Sequence, residues 1–87
     1  MTTVVNLKYD EYDVYIGRGS ILGNPFTVKQ YGRKKAIQKY KEYLLAKINS
    51  NEISKEYLRS LKDKKLGCYC KPLDCHGDII KEVVDSL

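Results

Sequence analysis

The sequence contains no tryptophan and no apolar run of ~18 residues, the length that a membrane-spanning helix needs. It has no secretory signal pattern, no internal repeat and no low-complexity segment. Cysteine is scarce, and its three residues lie together between positions 68 and 75, too tightly clustered for a disulfide framework. These absences argue against a membrane protein and a disulfide-rich secreted protein. They predict a cytoplasmic protein in a reducing compartment.

The chain is short and basic. Its 87 residues predict one domain covering positions 1–87. Sixteen lysines and arginines against eleven aspartates and glutamates give a net charge of +5. This charge suits an anionic partner such as a nucleotide or a nucleic acid. The alternative is that the lysines only form a solvated surface.

Hydrophobic patterning predicts three strands and three helices in the order β-β-α-α-β-α. The strands cover residues 3–9, 14–17 and 65–70, and the helices cover residues 32–49, 54–64 and the segment after position 74. Ser54 and Asp74 are the predicted N-caps of the last two helices, and Pro72 lies in a predicted turn. The order predicts a small α/β domain with a three-stranded sheet in two or three layers. Whether the first two strands form a hairpin is left open.

The stretch YIGRGSILGNPF, residues 15–26, combines three glycines, one arginine and an Asn-Pro turn. It is not the G-x-G-x-x-G dinucleotide fingerprint, because the third glycine comes one position late and no helix follows at once. An arginine between glycines can present a bidentate fork to a phosphate or carboxylate. We therefore predict that this loop binds an anion through Arg18, Gly19, Ser20 and Asn24. The alternative is a plain turn in which the arginine pairs with a surface acid.

The stretch CYCKPLDCHGD, residues 68–78, contains all three cysteines and the only histidine. Cys75 and His76 are predicted in the first helical turn, where free N–H groups and the helix dipole favour an anionic ligand or a thiolate. Gly77 would let a ligand approach the backbone closely. The predicted ligand-binding residues of this stretch are Cys75, His76, Gly77 and Asp78.

Three other interpretations of this stretch remain open. Zinc could bind Cys68, Cys70, Cys75 and His76, but the C-x-C-x4-C-H spacing is unlike that of common structural sites, so no metal is favoured. Small buried cysteines could simply fill space between a strand and a helix. A nucleophilic Cys75–His76 pair is weakly supported, because neighbours in a helix point about 100° apart.

Together the two stretches resemble the domain-of-unknown-function family 4326, which occurs in phages, bacteria and archaea. VYIGRGSILGNPF and LGCYCKPLDCHGDII carry the resemblance over residues 14–84, with a mild departure at Tyr69, where the family often has tryptophan. The resemblance fixes no reaction. It implies that the family signature includes Arg18, Gly23, Asn24, Pro25, Phe26, Cys68, Cys70, Cys75, His76, Gly77 and Asp78. By analogy it also implies a viral accessory protein that captures a nucleotide signal in the host cytoplasm.

The leading functional hypothesis is a module that binds a nucleotide or another phosphorylated small molecule, with a tyrosine such as Tyr15 or Tyr69 stacking on the base. The first alternative is a small enzyme acting on a nucleotide or glycosidic bond. Further alternatives are a zinc-stabilised interaction module and nucleic-acid binding through the helix lysines. No cofactor is expected unless zinc binds, and no membrane partner is expected. A homo-oligomer that completes a pocket is left open.

Overall fold

The computed structural model describes residues 1–71 and 73–87, and Pro72 of the predicted turn lies outside this part. It contains three strands and four helices in the order β-β-α-α-α-β-α. They are β1 (Thr3–Asn6), β2 (Val14–Tyr15), α1 (Val28–Tyr31), α2 (Arg33–Asn49), α3 (Lys55–Ser60), β3 (Lys65–Cys68) and α4 (His76–Ser86). The predicted α/β class is confirmed, and the element order roughly matches. The short helix α1 was not predicted.

The three strands form one parallel sheet in the order β1-β3-β2. The first two strands are therefore not a hairpin, since β3 lies between them. The segment that connects β1 to β2 therefore crosses β3, on the face of the sheet opposite Leu66 and Cys68. It crosses at Gly67, which has no side chain. A Cβ on Gly67 would lie 2.7 Å from Cγ of Tyr12, so glycine is what permits the crossing.

The core lies on one face of the sheet. Leu66 and Cys68 of β3, together with Ile16, point to this face and join one buried cluster with residues of α2, α3 and α4. The opposite face is only partly covered, and Tyr12 and Tyr15 remain exposed there. In the part of the chain that the structure describes, the sheet and the helices thus form two layers with the buried cluster between them.

Four elements end earlier than the sequence pattern predicts. β2 stops at Tyr15 rather than at residue 17. β1 stops at Asn6 because its side-chain oxygen accepts a hydrogen bond from Lys8 N and its carbonyl accepts from Tyr9 N and Asp10 N, which folds a turn. β3 stops at Cys68, so Cys70 lies beyond the strand. Ser54 caps α3 as predicted, accepting from Tyr57 N, but the helix closes at Ser60. Within residues 1–71 and 73–87, no helix has the length and apolarity to cross a membrane.

Candidate ligand-binding cleft

A cleft of about 380 Å³ opens at the carboxyl edge of the sheet, beyond the ends of β2 and β3. Parallel strands all end at one edge, so the glycine loop after β2 and the cysteine segment after β3 meet there. Arg18 lies on the first wall, and Cys75 and His76 lie on the second. The two stretches that the sequence singles out therefore line one cleft rather than two separate sites.

The glycine loop is held in shape by hydrogen bonds to its own backbone carbonyl oxygens. The hydroxyl of Tyr15 donates to the Arg18 carbonyl oxygen at 2.9 Å, and the ring of Tyr15 lies against Gly17. Both the N–H and the hydroxyl of Ser20 donate to the Gly17 carbonyl oxygen. A Cβ on Gly23 would lie 2.7 Å from that same oxygen, so this position needs glycine. The loop is thus a tight turn that leaves the Arg18 side chain exposed at the cleft.

The Asn-Pro turn joins the loop to α2. The side-chain oxygen of Asn24 accepts from Phe26 N at 2.9 Å, and its Nδ2 donates to the Ala36 carbonyl oxygen at 3.4 Å. This places the Phe26 ring in the cleft wall, edge-on to the rings of Tyr31 and Tyr43. Both polar atoms of the Asn24 side chain therefore already form hydrogen bonds within the protein, and they hold the turn against α2.

Helix α4 starts one residue later than predicted, because Cys75 rather than Asp74 is its N-cap. Cys75 Sγ accepts from Gly77 N at 3.2 Å, and the carboxylate of Asp78 accepts from Cys75 N at 3.1 Å. This reciprocal capping box engages the N–H groups of Cys75 and Gly77, so these two are not free for the anionic ligand that we expected at the helix start. Lys71 also pairs with Asp78, so the helix start already holds a neutralised carboxylate.

The predicted thiolate at Cys75 is wrong. Burial, followed by hydrogen bonding to Cys68, raises the pKa of the Cys75 thiol, because a charged sulfur would lose its hydration there. Its Sγ lies 3.2 Å from Cys68 Sγ, and both residues are almost fully buried. The loss of hydration therefore has a larger effect on the pKa of Cys75 than the helix dipole does. The packing interpretation accounts for these two cysteines, whereas Cys70 is partly exposed and lines the cleft.

His76 is buried and bridges the two walls. One ring nitrogen, Nε2, lies 2.7 Å from the Ile16 carbonyl oxygen, and since a carbonyl only accepts, Nε2 carries the proton. The ring also lies edge-on to Tyr40, with centroids 4.9 Å apart. Burial lowers the pKa of His76, so the imidazole is neutral at pH 7.

Cys75 and His76 do make contact, although two neighbours in a helix would not. Cys75 Sγ lies 3.8 Å from His76 Nδ1, because Cys75 is the extended N-cap and not a helical residue. The contact is long even for sulfur, and the thiol has Cys68 as a closer partner. Within the described part of the chain, no group of three or more histidine, cysteine, aspartate or glutamate side chains is arranged to hold a metal ion.

Arg33 is the main cleft residue that the sequence analysis missed. It begins α2, lines the cleft, and donates from Nη1 to the Asp74 carbonyl oxygen at 2.9 Å. Among the residues described, neither Arg33 nor Arg18 forms an ion pair with a carboxylate. A signal was present: the first turn of α2 is basic and has no acidic residue, which reverses the usual preference at a helix start.

The other predicted site residues are distributed as follows. Asn24 lines the cleft, whereas Gly19, Ser20, Gly77 and Asp78 do not. Gly77 is buried, and a Cβ there would lie 2.8 Å from side-chain atoms of Ile16 and of Val4. Gly77 therefore lets α4 pack closely on the sheet. Tyr15 and Tyr69, which we considered as stacking residues, both line the cleft.

Fold and cleft together define a small parallel α/β domain with a ligand-sized cleft at the strand ends. The chain matches the model of the family described as a domain of unknown function, DUF4326, over residues 4–86, and it belongs to that family.

Two viral proteins are similar to it. One, from Enterobacteria phage T4, is described as an uncharacterized 12.4 kDa protein in the nrdA-td intergenic region. It is 42% identical over 84 residues, which cover 97% of this chain and 78% of the relative. The other is an uncharacterized protein of Acanthamoeba polyphaga mimivirus, 33% identical over 87 residues. That alignment covers 78% of this chain and 63% of the relative. No solved structure gives a significant match.

Proposed function

We propose that the cleft binds a nucleotide or a closely related phosphorylated small molecule. The observation that carries this proposal is the meeting of two arginines, Arg18 and Arg33, with three aromatic residues in one cleft. These aromatic residues are Tyr15, Phe26 and Tyr69. Guanidinium groups form bidentate hydrogen bonds with phosphate, and aromatic rings stack on bases.

Position and lining support the proposal. The volume of about 380 Å³ falls within the roughly 300–1,000 Å³ typical of small-molecule sites, but other depressions on the described surface have similar volumes, so size alone does not single out this cleft. The cleft lies at the carboxyl edge of a parallel sheet, where α/β proteins commonly bind their ligands. Most of its lining is apolar or aromatic, with a few polar side chains, which is the usual composition of such a site.

The chemistry of the cleft favours capture of the ligand over its turnover. His76 uses its proton-bearing nitrogen to hold the Ile16 carbonyl oxygen, and burial keeps Cys75 protonated. At neutral pH Cys75 is therefore a poor nucleophile toward a bound ligand, and His76 has only its buried Nδ1, beside Cys75, free to accept a proton. The viral relatives and three free cysteines suit an accessory protein that captures a nucleotide in the reducing cytoplasm of an infected cell.

The test is a panel of linear and cyclic mononucleotides, screened by thermal shift and then measured by isothermal titration calorimetry. We expect at least one to raise the melting temperature at millimolar concentration. Arg18→Ala and Arg33→Ala should each weaken its binding about tenfold or more, the loss expected for hydrogen bonds between a charged donor and phosphate. Arg59→Ala is the matched control, because Arg59 is exposed on α3 and does not line the cleft.

The outcomes separate the alternatives. No shift with any nucleotide contradicts the proposal. Binding that Arg59→Ala weakens as strongly as Arg18→Ala does indicates general attraction to positive charge, not a site. Release of a product from the bound nucleotide, followed by chromatography, would instead identify an enzyme acting on it.

A further inference from the structure

Two buried thiols meet where the end of β3 faces the start of α4. Sγ of Cys68 and Sγ of Cys75 are 3.2 Å apart, and their residues are 1% and 2% exposed. Cys68 is the last residue of β3 and Cys75 is the N-cap of α4. A disulfide needs the sulfurs at about 2.05 Å, so they must approach by roughly 1 Å.

Little opposes that approach. The backbone of Cys75 is extended, with φ −149° and ψ 158°, so its side chain can turn without unwinding α4. Besides Cys68, its sulfur has two further polar contacts: the Gly77 N–H at 3.2 Å and His76 Nδ1 at 3.8 Å. Sulfur is a weak acceptor, and displacing it from the Gly77 N–H costs less than displacing an oxygen would.

We propose that Cys68 and Cys75 are a modification site, at which a hydroperoxide that enters through the cleft forms an intramolecular disulfide bond. Both residues line the cleft, which supplies the path for a small oxidant. The bond would join the end of β3 to the start of α4. This proposal does not depend on which ligand the cleft binds.

The reaction balances with hydrogen peroxide as the oxidant. One thiol first releases its proton, and its thiolate attacks a peroxide oxygen; the O–O bond breaks, and the leaving hydroxide takes up the released proton, giving a sulfenic acid and one water. The second sulfur then attacks the first, forms the S–S bond and displaces the hydroxyl as a second water. The two thiols lose two electrons and two protons in total, and the peroxide is reduced to two waters. Since the thiolate is the reacting species and burial disfavours it, the reaction should accelerate as pH rises.

The experiment treats the full chain with hydrogen peroxide, blocks the remaining thiols by alkylation and maps the product by mass spectrometry. Trypsin does not separate the two cysteines, because the only lysine between them, Lys71, precedes proline. A protease that cuts before aspartate does, since Asp74 lies between Cys70 and Cys75. Before alkylation we expect an intact mass lower by two hydrogens, and after alkylation a linked fragment pair in which only Cys70 carries the alkyl group.

Two variants make the assignment unambiguous. Cys70→Ser should still form the bond, and Cys75→Ser should not. The proposal is overturned if the bond includes Cys70, if it joins two chains, or if all three cysteines remain alkylatable. The last result counts once the same treatment has oxidised a dithiol control peptide.

Discussion

His76 and Ile16 are joined by a hydrogen bond of 2.7 Å between Nε2 and the carbonyl oxygen, although they are 60 residues apart in sequence. Ile16 directly follows β2, and His76 is the first residue of α4. The bond therefore ties the glycine loop to the cysteine segment. This contact holds residues 15–26 against residues 68–78, and these two segments form the two walls of the cleft.

Replacing the bridging imidazole should destabilise the fold. His76→Ala leaves the Ile16 carbonyl oxygen without its partner and opens a cavity beside Tyr40. Together these effects should lower the free energy of unfolding by about 2–4 kcal/mol. Urea denaturation measures the loss, with the exposed Lys62→Ala as control. Equal stability of His76→Ala and the wild-type protein would contradict the bridging role.

The same histidine should make stability depend on pH. Burial lowers its pKa below the value of about 6.5 that an unfolded chain has, so the unfolded state binds the proton more readily. The free energy of unfolding should therefore fall as the pH drops below about 6.5, by at most about 1.4 kcal/mol per pH unit.

Denaturation between about pH 5.5 and 7.5 isolates this effect, because carboxylates titrate mainly below this window. His76 is the only histidine, so no other imidazole contributes. The variant His76→Gln should lose the slope. A slope of the same size in that variant assigns the effect to another group.

Tyr40 should contribute through its hydroxyl as well as its ring. The residue is fully buried, and the hydroxyl donates to the Leu22 carbonyl oxygen at 2.7 Å. Tyr40→Phe keeps the ring but leaves that buried oxygen unpaired, which should cost about 1–3 kcal/mol. Tyr57→Phe, at an exposed position of α3, is the matched control and should change the thermal midpoint little. A neutral Tyr40→Phe would show that this hydrogen bond adds nothing to stability.

Gly23 should tolerate substitution less well than Gly19, although both lie in the same loop. A Cβ at position 23 would lie 2.7 Å from the Gly17 carbonyl oxygen, a backbone atom that cannot move alone. Gly23→Ala should therefore cost about 2–3 kcal/mol. A Cβ at Gly19 meets nothing within 4 Å, so only its positive φ opposes alanine, at about 1 kcal/mol. Thermal unfolding of both variants checks the order, and the reverse order contradicts this packing of the loop.

Much of the fold could be predicted because its signals are local. Helix periodicity gives α2 within one residue at its start, and Ser54 caps α3 as a serine at that position should. Pairing of strands could not be predicted. It depends on a loop crossing β3 over Gly67, a contact between distant residues that the pattern of each strand does not encode.

The site could be predicted only in part, for a similar reason. The sequence motifs identified the two segments that line the cleft, one with Arg18 and one with His76. They did not show that a hydrogen bond from His76 to the Ile16 carbonyl oxygen joins these segments. The choice of Cys75 over Asp74 as N-cap, and the protonated state of that cysteine, both follow from burial beside Cys68. Burial is a property of the folded chain, and a first-turn position alone predicted the opposite charge state.

The most direct test of the proposed cleft is a residue-resolved NMR titration of the full chain with the mononucleotide that gives the largest thermal shift. We predict that the largest amide shift changes occur at the cleft residues Arg18, Phe26 and Cys70, and that Arg18→Ala greatly reduces them. Changes confined to the exposed lysines of α2, Lys34, Lys35 and Lys41, would contradict a nucleotide site in this cleft, as would no change at saturating nucleotide.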